Sequence, residues 1–122
     1  MKRVLFFAVL MALAVCACQK DEHINVNPSD LVGKWQRTGT EEYWRINAAN
    51  DGVTWDESQD ISEEESNLTF TWDLDQDEIT CLFSGLVENK VVPKVYTIRS
   101  ISGNNMTWRD EYGLSMSFVR VE

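Results

Sequence analysis

The chain has almost no histidine. His23 is the only one in 122 residues, and it lies in a polar N-terminal stretch. That scarcity leaves little for general acid–base or nucleophilic catalysis, in which imidazole is the commonest proton carrier. Cysteine is nearly as sparse: Cys16, Cys18 and Cys81 are the three. Cys81 sits in the apolar run Ile79-Thr80-Cys81-Leu82-Phe83. With no histidine nearby and an acidic setting, it reads as a small buried residue rather than a nucleophile. Acidic residues are plentiful, but nothing singles out a catalytic pair. The sequence therefore predicts a protein that is not an enzyme and that takes no cofactor.

Positive charge is the next shortage. Between Arg45 and Lys90 there is no Lys or Arg, while twelve Asp or Glu occur. The whole chain carries a formal net charge of −9. Removing Lys2 and Arg3 with an export signal leaves 9 basic and 20 acidic side chains, or 9 − 20 = −11. Such a field repels phosphate backbones, so nucleic acid is not an expected partner.

Only one long apolar run exists, from Val4 to Val15, behind Lys2 and Arg3. At twelve residues it is shorter than the roughly 20 a membrane span needs, and it has no polar face. It has the form of a signal peptide, assigned to residues 1–17. Val15-Cys16-Ala17-Cys18 resembles a bacterial lipobox, and Ala17 suits the position before the cut better than Val15 does. The resemblance implies that Cys18 becomes the first residue and carries lipid. Two or more acyl chains anchor stably where one does not. Gln19-Lys20-Asp21-Glu22 is similar to a signal that sends lipoproteins to the outer face of the outer membrane. The expected location is thus the outer membrane, lipid-anchored and facing the cell exterior. Residues 18–29 read as the lipidated cysteine and a polar tether, and 30–122 as one domain.

In that domain helical periodicity is missing. After a short turn at Pro28-Ser29-Asp30 come short alternating runs separated by turn residues. Eight strands are predicted: 31–37, 41–47, 53–58, 67–74, 78–84, 94–101, 105–110 and 114–121. Asn50-Asp51-Gly52 reads as a hairpin turn. Residues 59–66 read as an acidic loop or one helical turn, and 85–93 as a longer connection. Leu68, Phe70, Trp72 and Leu74 share one face of the fourth strand. Leu114, Met116, Phe118 and Arg120 share one face of the last. The expected fold is all-β, an eight-stranded antiparallel up-and-down barrel, which closes with no exposed sheet edge. A β-sandwich is the structural competitor.

Gly33-Lys34-Trp35 resembles the Gly-x-Trp of the lipocalin first strand. Lipocalins pack an arginine from the end of the barrel over that tryptophan, and Arg120 matches it on the inward face. The chain is thereby similar to the small lipocalin-like domains of bacterial lipoproteins, over about 31–121. The resemblance implies that Gly33, Trp35 and Arg120 close the barrel floor. Three departures count against a deep, lidded calyx. The first hairpin loop is short, Ser102-Gly103-Asn104-Asn105 stands where lipocalins show Thr-Asp, and no C-terminal helix is expected after the barrel.

An eight-stranded barrel either fills with side chains or holds one small ligand. The candidate pocket residues are Phe70, Trp72, Phe83, Tyr96, Trp108 and Met116, with Arg37, and with Arg99 or Arg109, placed to meet an anionic headgroup. The alternative is a filled barrel that binds another protein through Tyr43, Trp44, Trp55 and Tyr112. Asp73 to Glu78 has calcium-loop spacing at its start but lacks glycine at the sixth position. It and Glu63-Glu64-Glu65 read as solvated turns, so no metal is expected. The expected partners are the membrane, through Cys18, and a small lipophilic molecule.

Overall fold

The computed structural model describes residues 23–122. The expected signal peptide, the lipidation site Cys18 and residues 19–22 lie outside them. A four-residue helix, α1 (Pro28–Leu31), opens the domain, with the Asn27 side chain accepting from Ser29 N. Eight strands follow: β1 (Gly33–Arg37), β2 (Glu42–Ile46), β3 (Asp51–Asp56), β4 (Thr69–Asp75), β5 (Glu78–Val87), β6 (Lys90–Ser102), β7 (Asn105–Arg109) and β8 (Ser115–Arg120). Each pairs antiparallel with its sequence neighbour, and β1 pairs with β8, so the sheet is one closed up-and-down barrel. A 3-10 turn, Glu57–Gln59, breaks the long β3–β4 connection.

Strand alternation decides what faces inward. In register, Trp35 lies opposite Trp44, Phe70 opposite Phe83, and Trp108 opposite Met116. These positions, with Ile46, Ile79, Ile98 and Phe118, form one core inside the barrel. Fully burying a large apolar side chain is worth about 1.5–3 kcal/mol, so the aromatic rings dominate the packing.

Several boundaries differ from expectation. The connection expected at 85–93 is instead strand: β5 runs to Val87 and β6 starts at Lys90, leaving Glu88-Asn89 as the turn with Asn89 at φ 59°. Gly85 does not end the strand but marks a bulge, where the register shifts between Ser84 and Val87. Pro93 is tolerated because only residues 97–102 of β6 pair with β7. The side of β6 that its missing N–H would face is therefore an edge. The β2–β3 turn is Asn47–Asn50, beginning three residues before the expected Asn50-Asp51-Gly52, with Asn50 N donating to Asn47 O at 3.1 Å. Gly52 belongs to the strand, where a Cβ would lie 2.3 Å from Phe70 Cζ. Leu31 ends the helix rather than starting a strand, and Leu114 precedes β8 and is 53% exposed instead of facing the core.

The part of the tether within the described residues, 23–29, is not free. Ile24 and Val26 pack against the core, and Val26 N donates to Gln76 O at 3.0 Å. His23 Nδ1 and Ile24 N both meet Asp77 Oδ2, at 2.8 and 3.3 Å. Asp77 is consequently buried, not part of a solvated turn. The polar residues of this stretch disguise two apolar ones that lie across the barrel end.

Candidate binding site at the open end

The two ends of the barrel are built differently. The closed end gathers α1, Gly33, Trp35 and Arg120. The Arg120 guanidinium lies 4.3 Å from the Trp35 ring centroid. It donates through Nη1 to Val32 O and through Nη2 to Asp30 O at 2.6 Å. Trp35 Nε1 donates to Leu31 O at 2.9 Å. Three carbonyls left open by the short helix thus receive side-chain donors. A methyl group on Gly33 would lie 2.6 Å from Arg120 Nη1, so glycine leaves the space the guanidinium occupies.

The middle of the barrel is filled by Trp44. Its ring lies 5.0 Å from Trp108 and between 5.5 and 5.8 Å from Phe70, Phe83 and Tyr96. Most of these contacts are edge-to-face, the favoured aromatic geometry. Tyr96 stacks on Trp108 at 4.6 Å. Trp108 is fully buried, and its Nε1 has no hydrogen-bond partner among the described residues. Cys81 is equally buried, and desolvation pushes its thiol up to about 12. A thiol held that far from ionisation is a poor nucleophile.

Above this plug lies a cleft of about 450 Å³. It forms where β3 leaves β4: the two pair only over 51–53 and 69–71, and the 57–68 connection flanks the gap. Trp44, Phe83 and Tyr96 make its floor, and Leu68 and Leu86 its apolar walls. Glu42, Asp56 and Glu65 are its acids and Lys94 its single base. The Glu42 carboxylate accepts from Trp44 Nε1 at 2.8 Å and lies 3.5 Å from Arg37 Nη1. Asp56 accepts from Ser58 N at 2.9 Å. The Ser62 backbone N–H and then its side chain hold the Glu65 carboxyl below its ordinary range. Burial, reinforced by Cys81 and the acids Glu42, Asp110 and Glu111, holds the Tyr96 phenol above its ordinary value, so it stays a donor at neutral pH.

The structure divides the expected pocket residues. Phe83 and Tyr96 line the cleft. Phe70, Trp72 and Trp108 are core, at 3%, 5% and 0% exposure. Met116 lines a separate recess with Pro93, Lys94 and Tyr112. Arg37 is turned to Glu42, and neither Arg99 nor Arg109 lines the cleft. Of the expected protein-contact residues, Tyr112 is 94% exposed, but Trp44 and Trp55 are buried. Trp55 points outward, yet Tyr43 stacks on it at 5.5 Å and Lys34 Nζ covers both rings. Lys94, Glu42 and Leu86 were not among the expected residues. Parity was the available signal: Glu42 shares a face with Trp44, and Lys94 with Tyr96.

Comparison with protein-family models, curated proteins and solved structures finds no match. The functional reading therefore rests on the geometry of the open end.

Proposed function

We propose that this chain is a lipocalin-like lipoprotein, anchored through lipid on Cys18 and displayed on the cell exterior, that binds an apolar or amphipathic ligand at its open end. The observation that carries the reading is the aromatic-floored cleft formed by Trp44, Phe83 and Tyr96. Trp44 occupies the barrel middle, so the ligand sits at the mouth and not in a deep calyx. The stack of Arg120 on Trp35 supports the lipocalin-like assignment of the floor.

The N-terminal strap supports the anchoring geometry. His23 is held at the closed end, and Cys18 lies only five residues before it. Five residues reach at most about 18 Å when fully extended. A lipid on Cys18 would therefore keep the closed end near the membrane and turn the cleft outward.

Native mass spectrometry of the mature protein tests the ligand: a co-purified apolar or amphipathic molecule is expected, and a clean apo mass with no response to a panel of lipophiles and amphipathic peptides sinks the proposal. Metabolic palmitate labelling tests the anchor. It is expected to vanish in Cys18→Ala, and labelling that survives the substitution overturns the lipoprotein assignment.

A second reading shares the same end. The filled interior and the exposed apolar residues Leu86, Val87, Val91 and Tyr112 favour a protein-interaction module with no small ligand.

A further inference from the structure

The loops of the open end, 38–41, 57–68, 88–89 and 110–114, contain nine acidic residues and no basic one. Glu63 is the exception in direction, reaching over the barrel wall to Arg45 at 2.6 Å. At the closed end the described strap and loops, 23–32, 47–50, 76–77, 103–104 and 121–122, contain three acids, Asp30, Asp77 and Glu122. In an up-and-down barrel alternate connections fall at opposite ends, so this segregation is a property of the molecule and not of any one loop.

Apolar side chains concentrate at the same end. Of the eight exposed large hydrophobic residues among the described ones, Leu86, Val87, Val91, Tyr112 and Leu114 lie there. The β5–β6 hairpin carries the first three beside the cleft, and Leu86 also forms part of the cleft wall. An apolar groove ringed by one sign of charge is matched by a partner with apolar anchors among charges of the opposite sign.

We infer that the occupant of the open end is a basic amphipathic peptide segment, with an apolar side chain in the cleft over Trp44, Phe83 and Tyr96 and its Lys or Arg residues among the surrounding carboxylates. This rests on the open end being the binding end, as proposed above. An anionic amphiphile would instead have to approach past the eight remaining loop carboxylates to reach Lys94. At physiological ionic strength the Debye length is about 8 Å, and Glu42, Asp56 and Glu65 line the cleft itself, so their field acts on any ligand entering it. The aromatic floor also suits a cation that follows its apolar anchor in, since ring faces attract ammonium and guanidinium groups.

The test is titration of the purified full chain, as the cell matures it, in nanodiscs of zwitterionic lipid, with empty nanodiscs as blank. Three peptides of equal length are compared by calorimetry and by Trp fluorescence: alternating Leu and Lys, alternating Leu and Glu, and alternating Ser and Lys. Laurate is the small-amphiphile probe. The Leu/Lys peptide is expected to saturate, and the other two peptides and laurate to bind at least about tenfold more weakly. Its affinity should fall as salt rises. Glu65→Lys should weaken it several-fold and Lys94→Glu should tighten it, both being exposed rim positions. Tighter binding of laurate or of the Leu/Glu peptide, or opposite responses to the two charge reversals, overturns the inference while leaving the open end as the binding site. Binding of the Ser/Lys peptide equal to that of Leu/Lys overturns it too, because the cleft would then play no part. No response to any probe overturns the inference and the binding reading together.

Discussion

At Gly33 a methyl group would lie 2.6 Å from Arg120 Nη1 and 2.7 Å from Glu122 O, on a backbone with φ +144°. Gly33→Ala would strain the backbone by about 1–3 kcal/mol and displace the guanidinium from Trp35 as well. Chemical denaturation should show a loss at the upper end of that range or above it. Gly103→Ala is the control: it shares a positive φ, +58°, but has nothing within 4 Å. It should lose only the backbone part. Cys81 makes a second residue-level prediction. Its thiol is neutral in both states below its ordinary value of 9.0, and burial raises the folded value to about 12. Stability is therefore complete below about pH 9 and is lost as pH rises towards 12, because the unfolded chain ionises first. At about 1.4 kcal/mol per unit the loss reaches about 4 kcal/mol. Tyr96, also raised by burial, adds to it in the same direction at still higher pH. The pH dependence of stability across this window should become shallower in Cys81→Ala, leaving the Tyr96 part, and a thiol reagent at pH 8 should label Cys81 only on unfolding.

Among the elements, β6 is the exposed one. It is longer than β7, and residues 90–96 have no β7 partner. Two devices blunt this edge. Pro93 offers no N–H, and the Glu111 carboxylate takes the Val95 N–H at 3.0 Å. An unprotected edge is a template for pairing with another chain. The double substitution Pro93→Thr and Glu111→Ala should therefore self-associate. Light scattering with size exclusion would show a concentration-dependent rise in mass, and a monomer at high concentration would refute the edge-protection account. The β5–β6 hairpin itself was illegible in sequence for the same reason. Gly85 and Pro93 ordinarily punctuate a chain, and only the bulge and the free edge make them compatible with long strands.

For the whole molecule, the decisive quantity is the distribution of charge. Net charge is −9 for the full chain, and the open-end loops carry nine acids, of which Glu63 pairs with Arg45, and no base. Folding concentrates this repulsion, and salt relieves it. Thermal unfolding should therefore shift upward with added sodium chloride, by a ΔΔG of about 1 kcal/mol, or roughly 4–8 °C in Tm for a barrel of this size. A Tm that falls with salt would mean that ion pairs such as Arg45–Glu63 outweigh the repulsion, contrary to the small worth of exposed pairs.

Strand alternation at Phe70, Trp72, Tyr96, Trp108 and Phe118 was enough to predict the all-β class and the eight strands, because period two is a local property that any stretch displays by itself, but it does not separate a barrel from a sandwich, which the β1–β8 pairing decides. The positions of Trp35 and Arg120 in the first and last strands were legible for the same reason, although only β1–β8 pairing brings them within 4.3 Å. The candidate site was legible in part. Phe83 and Tyr96 were on the expected list, but parity assigns a face and not a height along the barrel, so it could not separate them from Phe70 and Trp108 deeper in the core. Trp44 as the plug, Trp55 as an outward ring buried under Tyr43 and Lys34, and Ile24 and Val26 as a strap all depend on which distant segment covers them. Composition determined that the protein is acidic, but closure of the sheet sent most of its loop carboxylates to one end, since only strand order decides which loops become neighbours.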